Sequence, residues 1–139
     1  MRRAIFDTSV YIDWLNAGRH ADLLFDQDML KYLSVVVLLE LHAGASTRAE
    51  LRLLGTMAAT FQKVGRVVVP AAMVWEDAGM VLRSLSTRGF QVAGAHGLVN
   101  DVLIALSARA IGATVFTRNV RHFEAIRTVR RFDLVPVTA

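Results

Sequence analysis

Four side chains able to hold a hard cation stand beside apolar runs: Asp7, Glu40, Asp101 and Asn119. Asp7 closes Ile5-Phe6, Glu40 lies inside Val37-Leu38-Leu39-Glu40-Leu41, Asp101 leads Val102-Leu103-Ile104-Ala105, and Asn119 follows Ala113 to Thr117. A carboxylate in apolar surroundings carries a desolvation cost unless a cation or hydrogen bonds offset it. The three acids have no Lys or Arg at a spacing that would pair them, which points to a metal ion. Oxygen donors without His or Cys favour Mg²⁺ or Mn²⁺ over Zn²⁺. An ion held by few carboxylates keeps positions for water and phosphate oxygens, the arrangement that serves phosphodiester hydrolysis. Each residue also has a plainer reading. Asp7 could cap a helix beginning at Thr8, Glu40 could lie on an exposed stripe, and Asp101 could complement a helix N-terminus. Together they favour a site, because their spacing puts all three at one sheet edge.

The elements that must position them are strands and helices in alternation. Arg3 to Phe6 reads as a short strand, and Asp7-Thr8-Ser9 as the turn into a helix over Val10 to Leu15 that closes at Asn16-Ala17-Gly18. Ala21 to Leu30 has a helical apolar pattern. Leu33 to Val37 is continuous and largely β-branched, as a strand buried on both faces should be, with a helix from Leu38 to Ala43 stopping at Gly44. Thr47-Arg48-Ala49-Glu50 has the form of a capping box opening a helix that runs to about Val64. Arg66 to Val69 is a strand; Ala72 to Thr87 is a helix with Val74, Ala78, Val81, Leu82 and Leu85 on one face. Val92 to Gly97 reads as a loop, Leu98 to Ile111 as a helix, Ala113 to Thr117 as a buried strand, Val120 to Ile126 as a helix and Phe132 to Val137 as a last strand. Long crossovers between apolar strands require parallel pairing, so the expected fold is an α/β three-layer sandwich with a mostly parallel central sheet. Sites in such sheets form at the carboxyl ends of strands.

Length and composition set the outer bounds. At 139 residues the expectation is one domain over 1–139, large enough for a proper core. Apolar residues make up 54%, which excludes a disordered chain and leaves apolar surplus for a subunit or partner interface. No apolar run approaches the roughly 18 residues of a membrane span, and Met1-Arg2-Arg3 leads into a strand with Asp7 behind it, not into a signal peptide. The expectation is a cytoplasmic protein without a membrane anchor. There is no cysteine, so thiolate chemistry is excluded. A net charge of +4, carried mostly by Arg, suits a polyanion partner, although a basic solvated surface would give the same balance.

The segments Arg3-Ala4-Ile5-Phe6-Asp7-Thr8-Ser9, Ser34-Val35-Val36-Val37-Leu38-Leu39-Glu40-Leu41, Asn100-Asp101-Val102-Leu103-Ile104-Ala105 and Thr117-Arg118-Asn119-Val120-Arg121-His122-Phe123 resemble, in order, the motifs of PIN domains. They more closely resemble those of the VapC group, the ribonuclease toxins of type II toxin–antitoxin pairs. The resemblance runs from Arg3 to Val137. It implies a PIN-like sandwich and a Mg²⁺- or Mn²⁺-dependent endoribonuclease acting on RNA. It implies Asp7, Glu40 and Asp101 as metal ligands, with Asn119 in the place of a fourth acidic or amide residue and Thr117 as the polar neighbour beside it. It also implies a homodimer and a cognate antitoxin whose C-terminal segment covers the site. One departure stands out. Where many relatives supply another Asp, this chain has Asn119 and His122. An amide adds no charge, so the expected mechanism has one tightly held ion and a second that arrives with RNA.

Other signals are weighed against plainer explanations. His122 could be a ligand or a proton carrier, although a His before a buried Phe is usually a surface residue. His96 lies in a loop, and His20 and His42 have no partner pattern. Asp26-Gln27-Asp28 falls at a helix end, not after a strand. Arg118, Arg121, Arg127, Arg130 and Arg131 could follow an RNA backbone or pair with Glu124 and Asp133. Trp14, Phe25 and Met29 suit core packing, or an antitoxin groove if the resemblance holds. No glycine-rich nucleotide loop is present. Two rivals remain: a PIN-like binding module with too few acids to catalyse, and a phosphatase with Asp7 as nucleophile, against which the missing second Asp after Asp7 argues.

Overall fold

The computed structural model describes residues 1–92 and 94–138. Five strands form one sheet in the order β3-β2-β1-β4-β5, with every neighbouring pair parallel. These are β1 (Arg2–Phe6), β2 (Met29–Ser34), β3 (Val67–Val68), β4 (Thr114–Thr117) and β5 (Asp133–Pro136). Between them run α1 (Thr8–Ala17) and α2 (Ala21–Leu24), α3 (Val35–Gly44) and α4 (Arg48–Lys63), α5 (Ala72–Thr87) and α6 (His96–Ala110), and α7 (Val120–Val129).

The right-handed rule for parallel crossovers, applied to this strand order, sorts these helices into two layers. The connections β1 to β2 to β3 move one way and lay α1–α4 on one face, where α1 and α4 both touch α3. The chain then crosses back to β4 and β5, and α5, α6 and α7 pack together on the other face. The centre is β1, whose Ala4 and Ile5 are fully buried between the layers, and α6, where residues 101–108 are buried on every side. Phe6 packs against the tilted ring of Phe116 at 5.2 Å and meets Tyr11 edge-on at 6.2 Å, which ties β1 to β4 and α1. The reversal of direction puts a switch point between β1 and β4, the place where the carboxyl ends of parallel strands open a crevice.

The expected fold class is what the chain adopts, with three local corrections. The strand expected over Leu33 to Val37 lies earlier, at Met29–Ser34, and the valine run opens α3 instead. Ser34 decides this: its Oγ accepts a hydrogen bond from the Val36 amide at 3.1 Å and caps the helix. Val36 and Val37 then bury against the core, a gain that outweighs the modest helix penalty of β-branching. The helix expected over Ala21 to Leu30 stops at Leu24 for the same reason, since β2 claims Met29 and Leu30. Glu40 therefore lies in the second turn of α3, not just past a strand. The loop expected at Val92 to Gly97 is cut short by α6, which opens at His96; Ala93 lies outside the described residues. The capping box holds: Thr47 Oγ1 accepts from the Glu50 amide, and the Glu50 carboxylate accepts in return from the Ser46 amide.

Candidate functional site

Asp7 is the first residue beyond β1 and the N-cap of α1, but its side chain makes no capping bond. Its backbone amide continues the sheet by donating to the Phe116 carbonyl at 2.9 Å. The carboxylate is thereby directed toward the end of β4. Asp7 is 3% exposed, and its Oδ2 accepts from Thr117 Oγ1 at 2.8 Å and from Ser9 Oγ at 2.9 Å. The fully buried Thr117 hydroxyl also accepts from the Asn119 amide at 2.9 Å, and so sets the turn that leaves β4.

That turn delivers Asn119 to Asp101. Asn119 Nδ2 donates to Asp101 Oδ2 at 2.7 Å, and His122 Nδ1 lies 2.9 Å from the same oxygen. Asp101 sits in the second turn of α6 and is 5% exposed. Glu40 reaches the group from α3, where its Oε1 accepts from Thr8 Oγ1 at 2.6 Å. Asp7, Thr117, Asn119 and Asp101 are thus joined by hydrogen bonds into one network, and Glu40 is held by Thr8, the residue that follows Asp7.

The electrostatics bear the mark of this crowding. Asp101 is pushed up to about 8, first by burial and then by the neighbouring charges of Asp7 and Glu40; the Asn119 hydrogen bond only partly offsets them. Burial and the nearby Arg121 hold His122 below its ordinary value, against a smaller opposing pull from Asp7. No Lys or Arg forms an ion pair with Asp7, Glu40 or Asp101 among the described residues. Also among the described residues, no three His, Asp or Glu side chains are already gathered tightly enough to hold an ion. The donor types fit a hard divalent cation: three carboxylates that repel one another, with the lost cation interaction left open. Their hydrogen bonds to hydroxyl, amide and imidazole groups engage one oxygen of each acid and leave the other outside those bonds.

Sequence reasoning missed several members. Thr8 and Ser9 were expected only near a helix start, yet their hydroxyls hold Glu40 and Asp7. His122 turns inward to Asp101, not outward as a surface residue; its position three residues after Asn119, one turn away on α7, was the available signal. His20 is not without a partner: its Nε2 lies 2.9 Å from Asp13 Oδ2, while Arg118 Nη1 donates to Asp13 Oδ1 at 2.7 Å. Of the C-terminal arginines, Arg127 takes the second of the two alternatives and pairs with Glu124, while Arg130 clamps Asp77 on α5, not Asp133. Asp26 and Asp28 form a local turn away from the site, with the Asp28 amide on Asp26 Oδ1.

A second feature lies on the α1–α4 layer. An apolar groove of about 380 Å³ runs between α1, α2 and α4, lined by Tyr11, Trp14, Phe25, Leu53, Met57 and Phe61. Phe25 is 62% exposed and packs edge-on against Trp14 at 5.6 Å. Arg66 and Lys31 border it, and the Arg66 Nε is buried with no hydrogen-bond partner.

Residues 4–128 match the PIN domain family. A search of curated proteins gave no match. Among solved structures, the chain is similar to VapBC2 from Rickettsia felis bound to a DNA fragment from its promoter, at 21% identity with a TM-score of 0.71, covering 98% of this chain and 99% of that one. DNA-bound VapBC from Salmonella typhimurium is similar at 22% identity and a TM-score of 0.71, covering 98% of each chain. VapBC-5 from Mycobacterium tuberculosis, a member of the VapBC toxin–antitoxin systems, is similar at 21% identity and a TM-score of 0.63, covering 99% of this chain and all of the other.

Proposed function

The chain belongs to the PIN domain family, and on that footing we propose that it is a Mg²⁺- or Mn²⁺-dependent endoribonuclease, the toxin of a VapBC-type pair, acting in the cytoplasm as one PIN-like unit. The observation that carries the reading is the convergence of Asp7, Glu40 and Asp101 from the end of β1, α3 and α6 without a Lys or Arg ion pair among the described residues. These three would hold the ion. When bound, such an ion polarises a scissile phosphate and lowers the pKa of a water that attacks it.

The chain's own residues supply the positioning. Thr117 and Ser9 fix Asp7 through Oδ2, which leaves Oδ1 outside those bonds. Thr8 holds Glu40 by one oxygen, and Asn119 holds Asp101 by one. Each acid is thus oriented while one oxygen is spared. Arg118, 40% exposed at the side chain and held by Asp13, stands next to Thr117 where an RNA phosphate would approach.

The cognate antitoxin belongs in the groove of α1, α2 and α4. An amphipathic helix with an apolar face suits Trp14, Phe25 and Met57. One acidic residue on it would satisfy the unpaired Nε of Arg66. A homodimer follows from the family, and exposed Val69, Met73, Trp75 and Met80 offer it apolar surface.

The test is cleavage of a mixed tRNA and rRNA pool by antitoxin-free protein with Mg²⁺, with Mn²⁺ and with chelator, for wild type and Asp101→Asn. Metal-dependent cuts that vanish in the folded variant are the expected result. No cutting by wild type with either ion would refute the nuclease reading in favour of a binding module.

A further inference from the structure

The structure places an imidazole where a hard-ion site would be expected to carry only oxygens. His122 Nδ1 lies 2.9 Å from Asp101 Oδ2 and 3.1 Å from Asn119 Nδ2. Asn119 can satisfy Asp101 alone, since its amide already donates to the same oxygen at 2.7 Å. His122 is therefore not required to solvate that carboxylate. Its other neighbour does not claim it either: the Arg121 guanidinium is drawn over the Phe90 ring at 5.4 Å. The ring is 28% exposed at the side chain beside a carboxylate that is 7% exposed, so the partly open group of the pair is the imidazole.

The spacing is a hydrogen-bond distance that two ligands sharing an ion would also keep. Donors bound at about 2.1 Å in neighbouring positions of an octahedron lie about 3.0 Å apart. The observed separation of Nδ1 and Oδ2 is 2.9 Å. The charge of Asp7 acts on both Asp101 and His122, and that of Glu40 acts on Asp101, which places the imidazole within the same carboxylate group.

We infer that His122 is a nitrogen ligand of the ion held by Asp7, Glu40 and Asp101, and that it turns this site's selectivity from Mg²⁺ toward Mn²⁺. The inference rests on the metal-dependent reading above and deepens it. Mg²⁺ prefers oxygen donors and dehydrates reluctantly, whereas imidazole suits the first-row transition metals. The donor set becomes three carboxylates and one imidazole, with room left for solvent and a phosphate oxygen. Nothing is lost by Asp101 when the ion enters, because the ion replaces the imidazole contact and Asn119 remains.

The test measures the ion, not the reaction. Mn²⁺ is titrated into wild type, His122→Asp and His122→Ala, each checked for folding by circular dichroism, and the bound ion is examined by pulsed electron paramagnetic resonance. Wild type is expected to show modulation from a directly coordinated ¹⁴N nucleus, absent in both variants. Competition with Mg²⁺ is expected to show the Mn²⁺ preference falling about tenfold or more in His122→Asp, the scale of a lost ligand-shell partner. Bound Mn²⁺ without nitrogen modulation in wild type, modulation that persists in the variants, or an unchanged preference would each overturn the inference and leave the carboxylate site standing. Failure of wild type to bind either ion would instead overturn the metal-dependent reading itself, and this inference with it.

Discussion

Replacing Asp101 with Asn should make the metal-free protein more stable, although the residue is proposed to serve the reaction. Asp101 is pushed up to about 8 from an ordinary value of 3.8, first by its own burial, with Asp7 buried beside it. Between those two values the folded chain retains a proton that the unfolded chain has released. Stability must then fall as pH rises through that window. Integrating the linkage between the two values gives a cost of about 2 kcal/mol at pH 5, about 4 at pH 7 and about 5 at pH 8. Asn is isosteric and uncharged. Its Oδ1 can still accept from Asn119, so the variant escapes the charge cost while keeping a hydrogen bond. Allowing for relaxation around a buried charge, the expected gain at pH 7.5 is about 2–4 kcal/mol. For a chain of this size that is roughly 6–15 °C in Tm. The assay is thermal unfolding in chelator across pH 5 to 8, where the gain should grow with pH. Excess Mn²⁺ should then raise the wild-type Tm and leave the variant unmoved. A variant no more stable than wild type at pH 8, or a gain of the same size at pH 5, would refute the reasoning, because a gain that ignores pH cannot come from an ionised carboxylate.

Three further outcomes follow from the same contacts. Ser34→Ala removes the cap that starts α3, so unfolding measurements should show a loss of about 1 kcal/mol, together with weaker ion binding because α3 carries Glu40. Thr117→Val keeps the shape of a fully buried side chain but strands Asp7 and the Asn119 amide; a loss of about 1–3 kcal/mol in denaturant unfolding is expected. Asp13 is held below its ordinary value chiefly by the hydrogen bond to His20, with Arg118 adding to it. Its contribution is therefore present above pH 4 and lost as pH falls through the lower folded value. Asp13→Asn should be less stable than wild type at neutral pH, and the gap should close in an acid titration followed by circular dichroism.

The parts of the fold legible in the sequence were those where one physical signal dominates. The helices Ala72–Thr87 and Arg48–Lys63 announce themselves by periodicity and by the Thr47 capping box. Strand β4 and its following turn are equally plain. The boundary at Ser34 was not, because two rules conflict there. Val35-Val36-Val37 has strand propensity, while Ser34 has cap propensity, and burial against the core decides for the helix. The site shows the same division. Asp7, Asp101, Asn119 and Thr117 lie where strand ends or helix starts can be found by pattern. His122 could be weighed but not decided, and the Asp13–His20 pair was hidden, because both depend on side-chain directions across elements that a linear pattern does not encode.

The site's charge explains why so much of its surroundings is hydroxyl and amide. Three carboxylates at one switch point repel each other, and basic side chains would neutralise them but would also compete with a cation for the same oxygens. Thr8, Ser9, Thr117 and Asn119 avoid that conflict. Each donates a neutral hydrogen bond, strong enough to orient a carboxylate and weak enough to leave its charge available. Burial first, and then the residual repulsion, raises Asp101, and a divalent ion would offset that repulsion without changing any side chain. A Lys introduced at Asn119 would test this division of labour: it should stabilise the ion-free chain by pairing with Asp101, and weaken Mn²⁺ binding for the same reason. If it stabilised the chain and left Mn²⁺ affinity intact, the neutral surroundings would need another explanation.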